Sequence, residues 1–83
     1  MRTTRVIVPW RRGLHLRHAT KLVQTALRFH SRVVVKCGER VADARSILGV
    51  CALCAAMGTV LEVEISGDDE AAAAQTVEQI FGS

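Results

Sequence analysis

Tyrosine is absent from this chain, and one tryptophan, two phenylalanines and one proline are all that its 83 residues hold of those types. With aromatic residues at 4% and no recognised stacking motif, nucleic-acid binding is not the expected role, although the charge alone would permit it. Long apolar runs are missing as well. The uncharged run from Ile47 to Leu61 has 15 residues and is broken by Gly49 and Gly58. A membrane helix needs roughly 20 mostly apolar residues, so no membrane insertion is expected. Val6-Ile7-Val8 before Pro9 is too short for a secretory signal, which makes the cytoplasm the default location. Cysteines are few and odd in number: Cys37, Cys51 and Cys54 do not make a disulfide framework and are expected to be reduced.

The second half of the chain lacks basic residues altogether. All 11 Lys and Arg fall between Arg2 and Arg45, beside two acids (Glu39 and Asp43), while residues 46–83 carry six acids. The net charge of +3 therefore conceals a division of about +9 against −6, which can fold into a basic face and an acidic face. A basic face steers toward anionic partners. At 49% hydrophobic the chain suits one compact domain, 1–83, and is too short for two. A domain of this size buries about 60% of its unfolded surface, leaving little for a large ligand cavity.

Periodicity gives the order β-α-β-β-α-β-α. Thr4 to Val8 is β-branched and stopped by Pro9, as a strand would be. Ala19, Leu22, Val23, Ala26 and Leu27 form a helical stripe, with Arg17, Lys21, Gln24 and Arg28 on the polar face. Val33 to Val35 and Arg40 to Asp43 read as strands joined by a hairpin at Cys37-Gly38-Glu39. Ser46 suits the N-cap of a short helix reaching about Cys54. Val60, Leu61, Val63 and Ile65, interleaved with Glu62 and Glu64, make a fourth strand. Ser66-Gly67-Asp68-Asp69-Glu70 caps a last helix with Ala73, Val77, Ile80 and Phe81 on one face. The economical packing is an α+β two-layer sandwich, with helices on one side of a mostly antiparallel sheet. Element order alone does not fix strand adjacency.

The chemistry gathers in Gly13-Leu14-His15-Leu16-Arg17-His18-Ala19. If the helix starts near Leu16, His15 adjoins its N-cap and the free amides of Leu16, Arg17 and His18 form an anion site. Arg17 adds a forked, charged hydrogen-bond donor. A neutral imidazole, an amide cradle and a guanidinium are the parts of a reversible phosphohistidine. The ordinary alternative is a polar loop histidine at a helix start.

This heptad resembles Gly-Leu-His-Ala-Arg-Pro-Ala, the phosphoacceptor motif of the HPr family, the histidine-containing phosphocarriers of the bacterial phosphoenolpyruvate-dependent phosphotransferase system. Ala44-Arg45-Ser46-Ile47-Leu48-Gly49-Val50 resembles the family's Ala-Lys-Ser-Ile-Met-Gly-Val segment, and the spacing between the two motifs agrees. The resemblance spans essentially the whole chain. It implies an open-faced sandwich, a four-stranded antiparallel sheet covered by three helices. It also implies that His15 accepts a phosphoryl group on Nδ1 from Enzyme I and passes it to an acceptor such as a permease IIA domain, with Arg17 neutralising the charge. Ser46 is similar to the serine that an HPr kinase/phosphorylase modifies in some bacteria. A phosphate there would oppose docking to an acidic surface, and capping by Ser46 is compatible with that role.

Departures from the motif are Leu16 for its small residue, His18 for its proline, and Arg12 where many relatives carry a small polar residue. Loss of the proline restores a backbone N–H, Arg12 adds charge favouring the phosphorylated state, and Leu16 adds apolar surface, features of a specialised paralogue. Leu16, Lys21, Gln24, Ile47, Leu48 and Cys51 are the expected docking residues, an apolar patch rimmed by basic groups. The same positions could instead be a solvated helix face with Leu48 in the core. His18 as a second acceptor is the lesser reading beside a solvated or hydrogen-bonded ring, and His30, at a helix end, is structural. No cofactor or metal is expected, and the protein should act as a monomer. A regulatory paralogue acting through Ser46, or a metal or redox domain built on Cys51-x-x-Cys54, are the alternatives. Against the latter, the pair lies in an apolar helical stretch, Val50 to Ala56, where cysteine serves as a small core residue.

Overall fold

A computed structural model describes residues 1–82. Its elements are β1 (Arg2–Ile7), α1 (Leu16–Arg28), β2 (Arg32–Cys37), β3 (Arg40–Asp43), α2 (Ile47–Ala52), β4 (Val60–Ser66) and α3 (Glu70–Gly82), in the expected order. The four strands form one sheet in the order β1-β4-β2-β3, with every neighbouring pair antiparallel. β4 lies between β1 and β2, so β1-α1-β2 is a split crossover.

Alternation along the strands decides what each face of the sheet does. Leu61, Val63 and Ile65 of β4 are buried, and register sets Leu61 beside Val6 and Val63 beside Val35. The helices cover that side. Leu22, Val50, Val77 and the inward-facing valines Val8, Val33, Val35 and Val63 are fully buried in a single core. Glu62 and Glu64 point to the open side, where the charges of the two halves of the chain meet. Glu64 pairs with Lys36 at 2.8 Å and Glu62 lies 3.9 Å from Arg5. The sheet thus interleaves acidic and basic residues and does not segregate them into opposite faces. The reason is topological: the acidic strand β4 is inserted between two basic ones.

The helices depart from expectation at two points. In α1 the buried stripe is Ala19, Leu22, Thr25 and Ala26, and Leu27 is 64% exposed. Thr25 can be buried because its hydroxyl donates to the Lys21 carbonyl at 3.0 Å, which recentres the stripe away from Leu27. α2 ends at Ala52, two residues before Cys54. Leu53 turns into the core, its N–H and that of Cys54 donate to the Val50 and Cys51 carbonyls at 3.2 Å, and Cys54 takes a left-handed φ of 51°. These tightened bonds stop the helix. Arg40 closes it off, with Nη1 donating to the Ala52 and Leu53 carbonyls at 3.4 and 3.5 Å.

At the opposite end, Asp69 ties the start of α3 to the turn after α1. Its carboxylate accepts from the His30 N–H at 2.8 Å and from the Ser31 hydroxyl at 2.5 Å, which holds the carboxyl below its usual range. His30 contributes through its backbone amide.

Candidate functional site

The site begins where β1 stops. After Pro9, the Gly13 N–H donates to the Trp10 carbonyl at 2.8 Å, closing a turn over Trp10 to Gly13. Gly13 has φ 76°, and a Cβ built on it would stand 2.4 Å from the Ala55 carbonyl oxygen. Only glycine fits there. The next residue, Leu14, is buried and donates its N–H to that same carbonyl at 2.8 Å, so the segment following α2 fixes where α1 begins.

His15 is the N-cap of α1, in extended conformation, and its side chain makes no capping bond. Its carbonyl accepts from the His18 N–H at 3.1 Å and the Ala19 N–H at 2.9 Å. That corrects the three-amide cradle. The His18 amide is engaged within the first turn, leaving those of Leu16 and Arg17 free to meet an anion, among the described residues.

His15, Arg12, Arg17, His18 and Lys21 all line one open cleft of about 570 Å³, together with Pro9, Trp10 and Arg11. Arg11, Arg12, Arg17 and Lys21 have no carboxylate partner among the described residues, in contrast to Lys36 on the sheet. Four basic residues of the N-terminal half therefore meet uncompensated in this one cleft. The sequence motif marks Arg12 but not Arg11 or Trp10. The available signal was that Trp10 is the one tryptophan, set three residues before Gly13 in a loop.

His18 is half-buried, and its ring is held by other rings. It lies on the Trp10 indole with ring centroids 3.5 Å apart and planes 8° from parallel, and it meets His15 edge-on at 4.5 Å. Its Nδ1 is buried without a hydrogen-bond partner among the described residues. Burial first, then the positive charges of His15, Lys21 and Arg17, push the His18 pKa below that of a free histidine.

The residues expected to dock a partner lie on two adjacent helices, α1 and α2, outside the cleft except for Lys21. Leu48 is 81% exposed and Leu16 64%, so Leu48 is not in the core. Lys21 and Gln24 are exposed, whereas Ile47 and Cys51 are half-buried and pack on the core from its edge. Ser46 caps α2 by accepting from the Gly49 N–H at 3.0 Å, and it is exposed.

The thiols differ from expectation. Cys54 is outside the helix and exposed, while Cys37 and Cys51 are half-buried, and all three are free. Among the described residues no group of three or more His, Cys, Asp and Glu side chains could hold a metal ion. No helix there is long and apolar enough to cross a membrane.

Residues 2–83 match the family model described as the PTS HPr component phosphorylation site. The chain is similar to the phosphocarrier protein HPr of Xylella fastidiosa strain 9a5c, 42% identical over 76 residues that cover 92% of this chain and 85% of that one. It is 38% identical to the phosphocarrier protein HPr of Treponema pallidum over 81 residues, covering 98% of this chain and 90% of the relative. In structure it resembles the histidine-containing phosphocarrier protein of a Mycoplasma, with a TM-score of 0.90 at 28% identity, covering 95% and 90% of the two chains.

Proposed function

The chain belongs to the HPr family of phosphotransferase-system phosphocarriers, and we propose on that footing that it is a cytoplasmic monomeric relay in which His15 is the phosphoryl acceptor. The observation that carries this reading is the position of His15. It stands at the N-terminus of a 13-residue helix, its ring uncommitted to capping, in a cleft whose arginines and lysine have no acidic partner among the described residues.

Phospho-Enzyme I donates the group. The His15 Nδ1 lone pair attacks phosphorus as the bond to the donor breaks, so one P–N bond forms for the bond lost. The phosphoryl oxygens receive the Leu16 and Arg17 amides and the positive end of α1, and Arg17 with Arg12 neutralises the charge that remains. Transfer to an acceptor such as a permease IIA domain reverses these steps. The phosphoenolpyruvate and Mg²⁺ chemistry lies with Enzyme I, and the carrier itself needs no cofactor. Exposed Leu16 and Leu48, with Lys21, Gln24, Ile47 and Cys51 around them, supply an apolar anchor within a basic rim for partners of acidic surface.

Intact-mass analysis and phosphorus NMR after incubation with the host's Enzyme I, phosphoenolpyruvate and Mg²⁺ test the assignment. One acid-labile phosphoryl group on Nδ1 of His15, absent from a His15→Ala control, is the expected result. A folded protein that remains unmodified overturns it.

The exposed hydroxyl of Ser46 supports a second, compatible role as a target of HPr kinase/phosphorylase. A phosphate on Ser46 adds negative charge beside the docking helices and weakens association with acidic partners.

A further inference from the structure

One feature of the cleft has no part in the relay just described: the ring system beneath the acceptor. Phe81 of α3 meets the Trp10 indole at 5.1 Å and 39°, Trp10 lies face to face with His18 at 3.5 Å, and His18 meets His15 edge-on at 4.5 Å and 68°. Four rings thus run in file from a core residue to the phosphoacceptor. Neither histidine ring is set by a hydrogen bond among the described residues: His15 makes no capping bond and the buried Nδ1 of His18 has no partner. The ring contacts are what orients them.

Orientation decides reactivity at this atom. The lone pair of an imidazole nitrogen lies in the ring plane, so phosphoryl transfer in line with it requires that plane to face the donor. The second torsion of a histidine is broad and intrinsically unrestrained, and an unsupported ring at a helix start samples many planes. An edge-on neighbour narrows that range, provided the neighbour is itself held. Trp10 holds His18, and Phe81, 5% exposed, backs Trp10. A hydrocarbon side chain could fill the place of His18 without leaving a buried nitrogen unpaired, but it would lack the flat face that stacks on the indole.

We infer that His18, stacked on Trp10, is a positioning residue for phosphoryl transfer, fixing the plane of the His15 ring so that Nδ1 faces the incoming group. This rests on the reading of His15 as acceptor. His18 touches neither phosphorus nor donor and acts through the His15 ring.

The test compares His18→Ala, His18→Phe and Trp10→Ala with the parent protein, all shown folded by amide NMR, in steady-state phosphorylation by Enzyme I. The expected result for His18→Ala is a kcat lowered about tenfold with the KM for the carrier unchanged, since orientation and not docking is lost. Trp10→Ala should follow it. His18→Phe, which keeps an aromatic face, should recover most of the rate, a rescue that a role in hydrogen bonding or as second acceptor would not allow. The carbon-bound proton resonances of the His15 ring should move in His18→Ala and return toward the parent in His18→Phe. Parent-like transfer by His18→Ala, or a His18→Phe as slow as it, overturns the inference. If the folded parent protein is not phosphorylated, the acceptor reading fails instead. The His15 resonances then still decide the positioning role, because unchanged signals in His18→Ala refute it.

Discussion

Leu14 donates its backbone N–H to the Ala55 carbonyl at 2.8 Å, joining the turn that delivers His15 to the segment that leaves α2. Gly13 makes this approach possible, since any Cβ there would stand 2.4 Å from the same oxygen. His15 is therefore located by residues some 40 positions away in the chain.

Gly13→Ala should lower stability by about 1–3 kcal/mol, because φ 76° is costly for alanine and the Ala55 carbonyl has to withdraw. It should also slow phosphorylation of His15 more than that stability loss explains, since α1 starts from the displaced turn. Urea denaturation with a transfer assay at saturating Enzyme I measures both effects, and a near-neutral substitution would show that the contact does not locate the helix.

Acidification should weaken the fold in two stages. The His18 pKa is lower in the folded protein than its free value of 6.5, so the native state binds fewer protons than the unfolded chain there. That contribution is complete above pH 6.5 and is lost as pH falls through the lower folded value. Asp69 is also lowered, from 3.8, by the Ser31 and His30 hydrogen bonds, and its contribution disappears in the same direction at pH below 3.8. Urea midpoints followed against pH should fall in the first range for the parent and stay level there for His18→Phe, while both proteins share the second fall.

Thiol modification should be ordered by position in the fold. Cys54, exposed beyond the end of α2, should react first with a maleimide, and the half-buried Cys37 and Cys51 more slowly. Timed alkylation followed by peptide mass spectrometry reads the order. A Cys51 that reacts ahead of Cys54 would place the end of α2 elsewhere.

Ser46→Ala should cost about 1 kcal/mol through loss of the cap on Gly49, whereas Ser46→Asp should keep the cap. The aspartate should nevertheless raise the KM of Enzyme I for this carrier, as added negative charge at the proposed docking face predicts. Thermal unfolding and steady-state kinetics separate the two effects, and an unchanged KM in Ser46→Asp would remove the electrostatic argument for regulation.

Element type and order were legible in the chain itself because they depend on local pattern. Alternation set β4 apart from its neighbours, and the stripe through Ala19, Leu22 and Ala26 marked α1. The heptad around His15 carried its position at the helix start, since capping and the first-turn amides belong to adjacent residues. Tertiary structure alone decided the rest. Strand adjacency placed β4 between β1 and β2, bringing Glu62 to Arg5 and Glu64 to Lys36 and leaving Arg11, Arg12, Arg17 and Lys21 to make the cleft positive. The burial of Thr25 in place of Leu27, the outward turn of Cys54 and the stacking of His18 on Trp10 followed from packing as well. Periodicity records which way a side chain faces along its own element. It holds no record of which distant residue anchors a turn, and the bond from the Leu14 N–H to the Ala55 carbonyl anchors the turn that bears Trp10 and leads into His15.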